Sequence, residues 1–209
     1  MYDFLYNFAK INHIELKMKD NIMIYRPIVL DEEIKFSKKM FIVSKTDING
    51  IIIFINKNFS EVSGYSEEEL INQPHNILRH PDMPQALFFL VWQQLLAGQP
   101  ISGIVKNLAK DGRYYWVIAD LEPKLNTHGE IIAFTAFRRS APQNVIDTTA
   151  ELYSTMVAIE KKHGMEKSLA YLEAFLEENN LTYNEFITEL IKPKGILAVL
   201  LNAFKKMFE

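Results

Sequence analysis

The sequence predicts an α+β chain: a five-stranded antiparallel sheet with short helices on one face, followed by a C-terminal α-helical region. Three observations point there. Two β-rich runs, "MFIVSKT" and "IIIFIN", flank Asp47, Ile48, Asn49 and Gly50, a hairpin-turn composition. Three further strand candidates, 101–110, 113–122 and 130–139, are separated by turns that hold Asp111 with Gly112 and Asn126 with Gly129. Residues 143–209 instead place apolar side chains at spacings of three and four, the period of a helix.

Each element follows in order. Residues 1–38 form an N-terminal extension in which Phe4, Phe8, Ile11 and Leu16 trace the apolar face of a short helix, and "YRPIVLDEEIKF" reads as extended. The sheet-bearing domain runs from 39 to 140. After its first two strands, Ser66 and Glu69 have the spacing of a capping box, and "HPDMPQALFFLVWQQLLAG" reads as a longer helix ending at Gly98. Asp82 is the expected N-cap of that helix, with Pro84 in its first turn. The C-terminal region, 141–209, opens with "VIDTTAELYSTMVAIEKKHG" and "MEKSLAYLEAFLEENN", and Thr182 with Glu185 starts another helix as a capping box. Beyond a break at Pro193 and Gly195, Leu197, Leu200, Leu201, Phe204 and Phe208 share one face beside Lys205 and Lys206. That face suits packing within the helical region, docking on a partner helix, homodimer formation, or contact with the inner membrane surface.

Composition narrows the function. A chain of 209 residues, 48% of them hydrophobic, can bury one good core and carry a helical appendage. The net charge of −3 and the lack of a long lysine or arginine run argue against nucleic acid as a partner. The chain has no cysteine, so thiolate nucleophiles, thiolate metal sites and disulfides are excluded. No stretch approaches the roughly 20 apolar residues of a membrane span, and a cytoplasmic location is expected. Glycine-rich phosphate loops, nucleophile elbows and zinc-ligand motifs are absent, so the chain is expected not to be an enzyme.

Several polar residues sit where a plain core would not need them. In a strand over 101–110, Asn107 shares a face with Ile101, Gly103, Val105 and Ala109. A carboxamide there either bonds within the domain or recognises an amide-like ligand edge. Asn56, at the end of "IIIFIN", poses the same question and is also the residue type that ends strands. In "PHNILRHPDMP", Arg79 and His80 lie beside a helix N-terminus, an arrangement suited to an anion such as a pyrophosphate. Pairing with a surface acid would account for Arg79 equally. His75, His80 and Asp82 match no compact metal-site spacing. Phe88, Phe89 and Trp92 at helical spacing, with Trp116 on a strand, serve as core and would also form a slot for a planar ligand.

The segments "VSGYSEEELINQPHNILRHPDMP" and "GIVKNLAKDGRYYWV" resemble a PAS domain, specifically the sensory PAS domain of bacterial aerotaxis and energy-taxis receptors. The resemblance covers about half the chain. It implies a five-stranded antiparallel sheet with short helices around a small-molecule pocket, non-covalently bound FAD, and redox signalling towards the chemotaxis pathway. Carried over by position, it implies cofactor contacts from Asn56, Arg79, His80, Asp82, Phe88, Trp92 and Asn107. Ile101 stands where the better-known aerotaxis receptors carry a tryptophan. No methyl-accepting coiled coil is present in these residues, so a stand-alone sensor signalling through a membrane-bound, chemoreceptor-like partner is expected. A haem or metabolite sensor, with His80 or His75 as iron ligand, and a cofactor-free interaction module are the alternatives.

Overall fold

The computed structural model of the chain describes residues 27–192. The expected helix through Phe4 to Leu16 and the apolar face from Leu197 to Phe208 lie outside the described residues. Twelve residues, 27–38, lead into the sheet and pack on it: Glu33 bridges Tyr114, and Ile34 and Phe36 join the core. The strands are β1 (Ile42–Thr46), β2 (Ile52–Ile55), β3 (Ile101–Leu108), β4 (Tyr114–Leu125) and β5 (Ile131–Ser140). They form one five-stranded antiparallel sheet in the order β2-β1-β5-β4-β3.

Between β2 and β3 lie α1 (Lys57–Ser63), α2 (Glu67–Leu70), a 3-10 turn (His75–Leu78) and α3 (Gln85–Leu96). The Ser66–Glu69 capping box forms as expected at α2. The helix after "HPDMP" starts later than its sequence suggests, and Asp82 does not cap it. Pro84 is the N-cap residue and offers no side-chain acceptor. Asp82 turns instead to the Lys106 ammonium at 2.7 Å, because a full opposite charge attracts it more than partly charged amides do.

Alternation along the strands gives the sheet two faces. Ile42, Ser44, Asn107, Ala109, Tyr115, Val117, Ala119 and Arg138 occupy the inner one, as the register pairs Ile42 with Arg138, Arg138 with Ala119 and Asn107 with Tyr115. Phe59, Val62, Leu70 and Leu78 close this side into a core. The outer face of β3 and β4 carries Ile104, Trp116 and Ile118, and these belong to a second core with the C-terminal helices.

Those helices are α4 (Gln143–His163), α5 (Met165–Glu178) and α6 (Tyr183–Ile191), the last opened by the expected Thr182–Glu185 capping box. Trp116 stacks on Tyr153 of α4 with ring centroids 6.4 Å apart. The free edge of β3 is also closed by helix side chains. Tyr153 Oη donates to the Ile104 carbonyl at 2.8 Å, while Asn184 accepts from Ser102 N and donates to the Pro100 carbonyl, both at 3.2 Å. An exposed strand edge invites unwanted pairing, and this covering removes it. Among the described residues nothing covers the outer face of the β2-β1-β5 half, where Phe54 and Phe137 are exposed and Lys45 lies over the Phe54 ring. No described helix is long and apolar enough to cross a membrane.

Candidate functional site

Asn107 lies on the inner face, as alternation along β3 requires, and is only 3% exposed. Its side chain hydrogen-bonds the hydroxyl of the opposite residue, Tyr115, whose own ionisation burial pushes well up. The carboxamide is therefore paired within the domain, and through Tyr115 it is linked to the most unusual group of the interior, the guanidinium of Arg138. Arg138 is 4% exposed. It donates to Ser44 Oγ at 2.9 Å and to His75 Nε2 at 2.8 Å, and it lies 5.8 Å from the Phe59 ring centroid. Among the described residues no carboxylate pairs with it.

Electrostatics make that arrangement costly. Burial lowers the Arg138 pKa to about 10, partly offset by the Tyr115 hydroxyl, so the group remains a cation at neutral pH. His75 is held neutral, with its pKa lowered to about 3 by burial first and by the adjacent Arg138 charge second. A neutral Nε2 can accept the Arg138 N–H, whereas an imidazolium could not. A buried charge without a counter-charge costs several kcal/mol or more. The interior of this domain therefore presents a cation, a carboxamide and the Ser44 hydroxyl on one wall, suited to an electron-rich, hydrogen-bonding partner.

The "RHPD" residues lie together at the edge of β3 instead of inside this wall. Arg79 bridges Asn107 through the backbone, stacks its guanidinium 5.0 Å from the Phe88 ring centroid, and donates to the Met83 carbonyl. His80 is 2% exposed; its Nδ1 accepts from the Asp82 amide and its ring meets Tyr114 edge-on. Its pKa is lowered to about 4 by burial and then by Lys106, with Asp82 opposing. Burial would raise the Asp82 carboxyl, but the Lys106 hydrogen bond and charge, with His80 and Lys161, bring it below its usual range. Of the two histidines, His75 is engaged by Arg138, whereas His80 Nε2 is buried with no hydrogen-bond partner among the described residues.

Phe88 and Trp92 lie four residues apart on α3 and are half-buried. Trp92 meets Phe134 of the inner sheet face edge-on at 5.4 Å and abuts Gly50 in the β1–β2 turn. Asn56 is spent mostly on the backbone. Its Oδ1 accepts from Val43 N and from Phe59 N, capping α1, and its Nδ2 donates to the Phe41 carbonyl. One amide hydrogen of Asn56 remains. Sequence reasoning missed Arg138, Ser44 and Tyr115, and treated His75 only as a potential ligand. Strand parity carried the signal for Arg138, since it shares a face with Phe134 and Ala136.

A sheet of this order, with short helices between its second and third strands, defines a PAS-fold domain. Residues 52–138 match the family model described as the PAS fold. The chain is 36% identical over 150 residues to the aerotaxis receptor of Escherichia coli, covering 72% of this chain and 29% of that protein. It is 36% identical over 97 residues to the nitrogen fixation regulatory protein of Klebsiella pneumoniae, covering 46% of this chain and 20% of that protein. A biofilm dispersion protein of Pseudomonas aeruginosa is 26% identical over 140 residues, with 66% of this chain and 32% of that protein covered. The chain thus spans less than a third of the length of these relatives. Among solved structures, the PAS domain of a Colwellia psychrerythraea protein superposes with a TM-score of 0.42 at 24% identity, covering 48% of this chain and 86% of that one.

Proposed function

We propose that this chain is a redox sensor: its PAS domain holds FAD non-covalently and passes the redox state to a membrane-bound, chemoreceptor-like partner. The observation that carries the reading is the buried Arg138 cation, held by Ser44 with no carboxylate among the described residues, on the same sheet face as Asn107. The similarity to an aerotaxis receptor agrees with it. When bound, FAD supplies a reversible two-electron centre whose reduction adds negative charge to the isoalloxazine. The donor set fits that chemistry. Arg138 and Asn107 offer N–H donors to ring carbonyl and nitrogen acceptors, Ser44 orients the guanidinium, and Phe88 and Trp92 give flat apolar walls. Neutral His75 leaves Arg138 as the cation of the inner wall, so its charge is available to an anionic ring. Asn107, now bonded to Tyr115, is the switch we infer: exchanging that partner for the ligand edge would move β3. Arg79, stacked on Phe88, is the proposed phosphate contact, with His80 and Asp82 holding its segment in place and Asn56 fixing the start of α1.

The test is the absorption spectrum of freshly purified protein, oxidised and after dithionite, for wild type, Asn107→Ala and Arg138→Met. Flavin bands that bleach on reduction are expected in wild type. Loss or weakening of the bands is expected in Asn107→Ala, and a reduction potential shifted negative in any Arg138→Met that keeps the cofactor. A colourless wild type that takes up no added FAD would overturn the reading and leave a cofactor-free module in which Asn107 and Tyr115 satisfy each other.

A further inference from the structure

The first turn of α3 has no cap from its own segment, because Pro84 provides none and Asp82 has turned to Lys106. The missing acceptors arrive from 74 and 75 residues away. Glu160, in the last turn of α4, accepts from Gln85 N through Oε2 at 2.9 Å and from Ala86 N through Oε1 at 2.8 Å. Both oxygens of one carboxylate thus grip two free amides at the positive end of a helix dipole, the geometry in which such a bond is strongest. The next residue, Lys161, acts on Asp82 and lowers its carboxyl. The last turn of α4 therefore touches the segment 80–86 with a negative charge on the helix amides and a positive charge towards Asp82.

α3 is also the helix whose Phe88 stacks on Arg79 and whose Trp92 meets Phe134, while its Leu87, Val91 and Leu95 belong to the core formed with α4, α5 and α6. A small displacement of α3 would break the Glu160 bonds, since hydrogen bonds fail within a few tenths of an ångström beyond contact. Release of α4 would in turn uncap α3. The two events are one equilibrium.

We propose that Glu160 is a clasp that joins the C-terminal helices to the pocket helix, so that α4–α6 hold and release as a unit and serve as the output element of this chain. The mechanical coupling stands by itself; that it carries a redox signal rests on the function proposed above.

Hydrogen–deuterium exchange on the full chain tests it, for wild type, Glu160→Gln and Glu160→Ala, with an absorption spectrum of each sample. Glu160→Ala is expected to speed exchange about five- to tenfold at Gln85 and Ala86, as a lost cap does, and to speed α4–α6 together while β4 keeps its wild-type rates. Glu160→Gln, which retains one acceptor oxygen, is expected to fall between. Faster exchange at 85–86 alone would reduce Glu160 to a local cap and overturn the clasp, and so would equal acceleration in β4. The signal is tested by Arg138→Met: altered α4–α6 exchange supports transmission from the pocket, and unchanged exchange overturns it. Because the spectrum is read on the same samples, failure of the flavin reading is distinguished from failure of the clasp.

Discussion

His75 and His80 are both held as neutral rings, and this gives the chain a defined acid sensitivity. Unfolded, each imidazole titrates near 6.5, whereas folded they are held to about 3 and about 4. Burial is the first cause for both; Arg138 adds to it for His75 and Lys106 for His80. Across that interval the unfolded chain binds protons that the folded chain refuses. Stability is therefore complete above about pH 6.5 and declines as pH falls, by up to about 1.4 kcal/mol per pH unit for each histidine. Urea unfolding at pH 7.5 and 5.0 should show the decline, and His75→Gln should make it about half as steep. An unchanged slope would mean that His75 is protonated in the fold. Asn56 makes a second case at this scale. Asn56→Ala removes a helix cap, one bond to β1 backbone at Val43 and one to Phe41 just before it, so a loss of about 2 kcal/mol is expected in the same unfolding assay. Alternation was enough to find Asn107 from the sequence. The same parity would have found Arg138, but an arginine followed by Arg139, which pairs with Asp120 outside, reads as a solvated strand end. Glu160 had no local signal at all, because its partners lie 74 and 75 residues away.

At the scale of elements, turn chemistry and helix period were legible, and the entry of α3 was not. Hairpins at Asp47–Gly50 and at Asp111 with Gly112 form where the composition places them, since glycine at positive φ is needed in both turns. The start of α3 depended on competition for Asp82 between helix amides and Lys106, which only the folded arrangement decides. Gly112 does more than turn the chain. Its carbonyl accepts from Leu30 N at 2.8 Å, and a Cβ built on it would collide with the Ile28 carbonyl oxygen. Gly129 has a similar φ of +81° but open space around it. Gly129→Ala should therefore cost only the left-handed backbone term, about 1–2 kcal/mol. Gly112→Ala should cost clearly more and detach residues 28–34 from β4, which limited proteolysis would report as new cleavage before Ile34.

For the whole molecule, the two cores meet through the sheet. Val105 and Leu121 pack against both, and α4–α6 bury Leu152, Tyr153, Met156, Leu172, Phe175 and Phe186 over the outer face, each worth about 1.5–3 kcal/mol. Neither layer is complete without the shared strands, so the described residues should unfold in one step. The two tryptophans report on different places: Trp92 on α3 faces Phe134, and Trp116 on β4 stacks on Tyr153. Trp92→Phe and Trp116→Phe each leave one of them as reporter. In both variants the fluorescence transition in urea is expected to coincide with loss of helical circular dichroism. Adding Glu160→Ala should separate them, because the bond holding α4 to α3 is lost while strand pairing is untouched. The Trp116 signal would then change at lower urea than the Trp92 signal, as α4 leaves Trp116 while Trp92 keeps its contact with Phe134. If the curves stay superimposed, the apolar packing over Ile104, Trp116 and Ile118 is sufficient to hold the layers together, and the output of the domain must travel through the sheet without release of the helices.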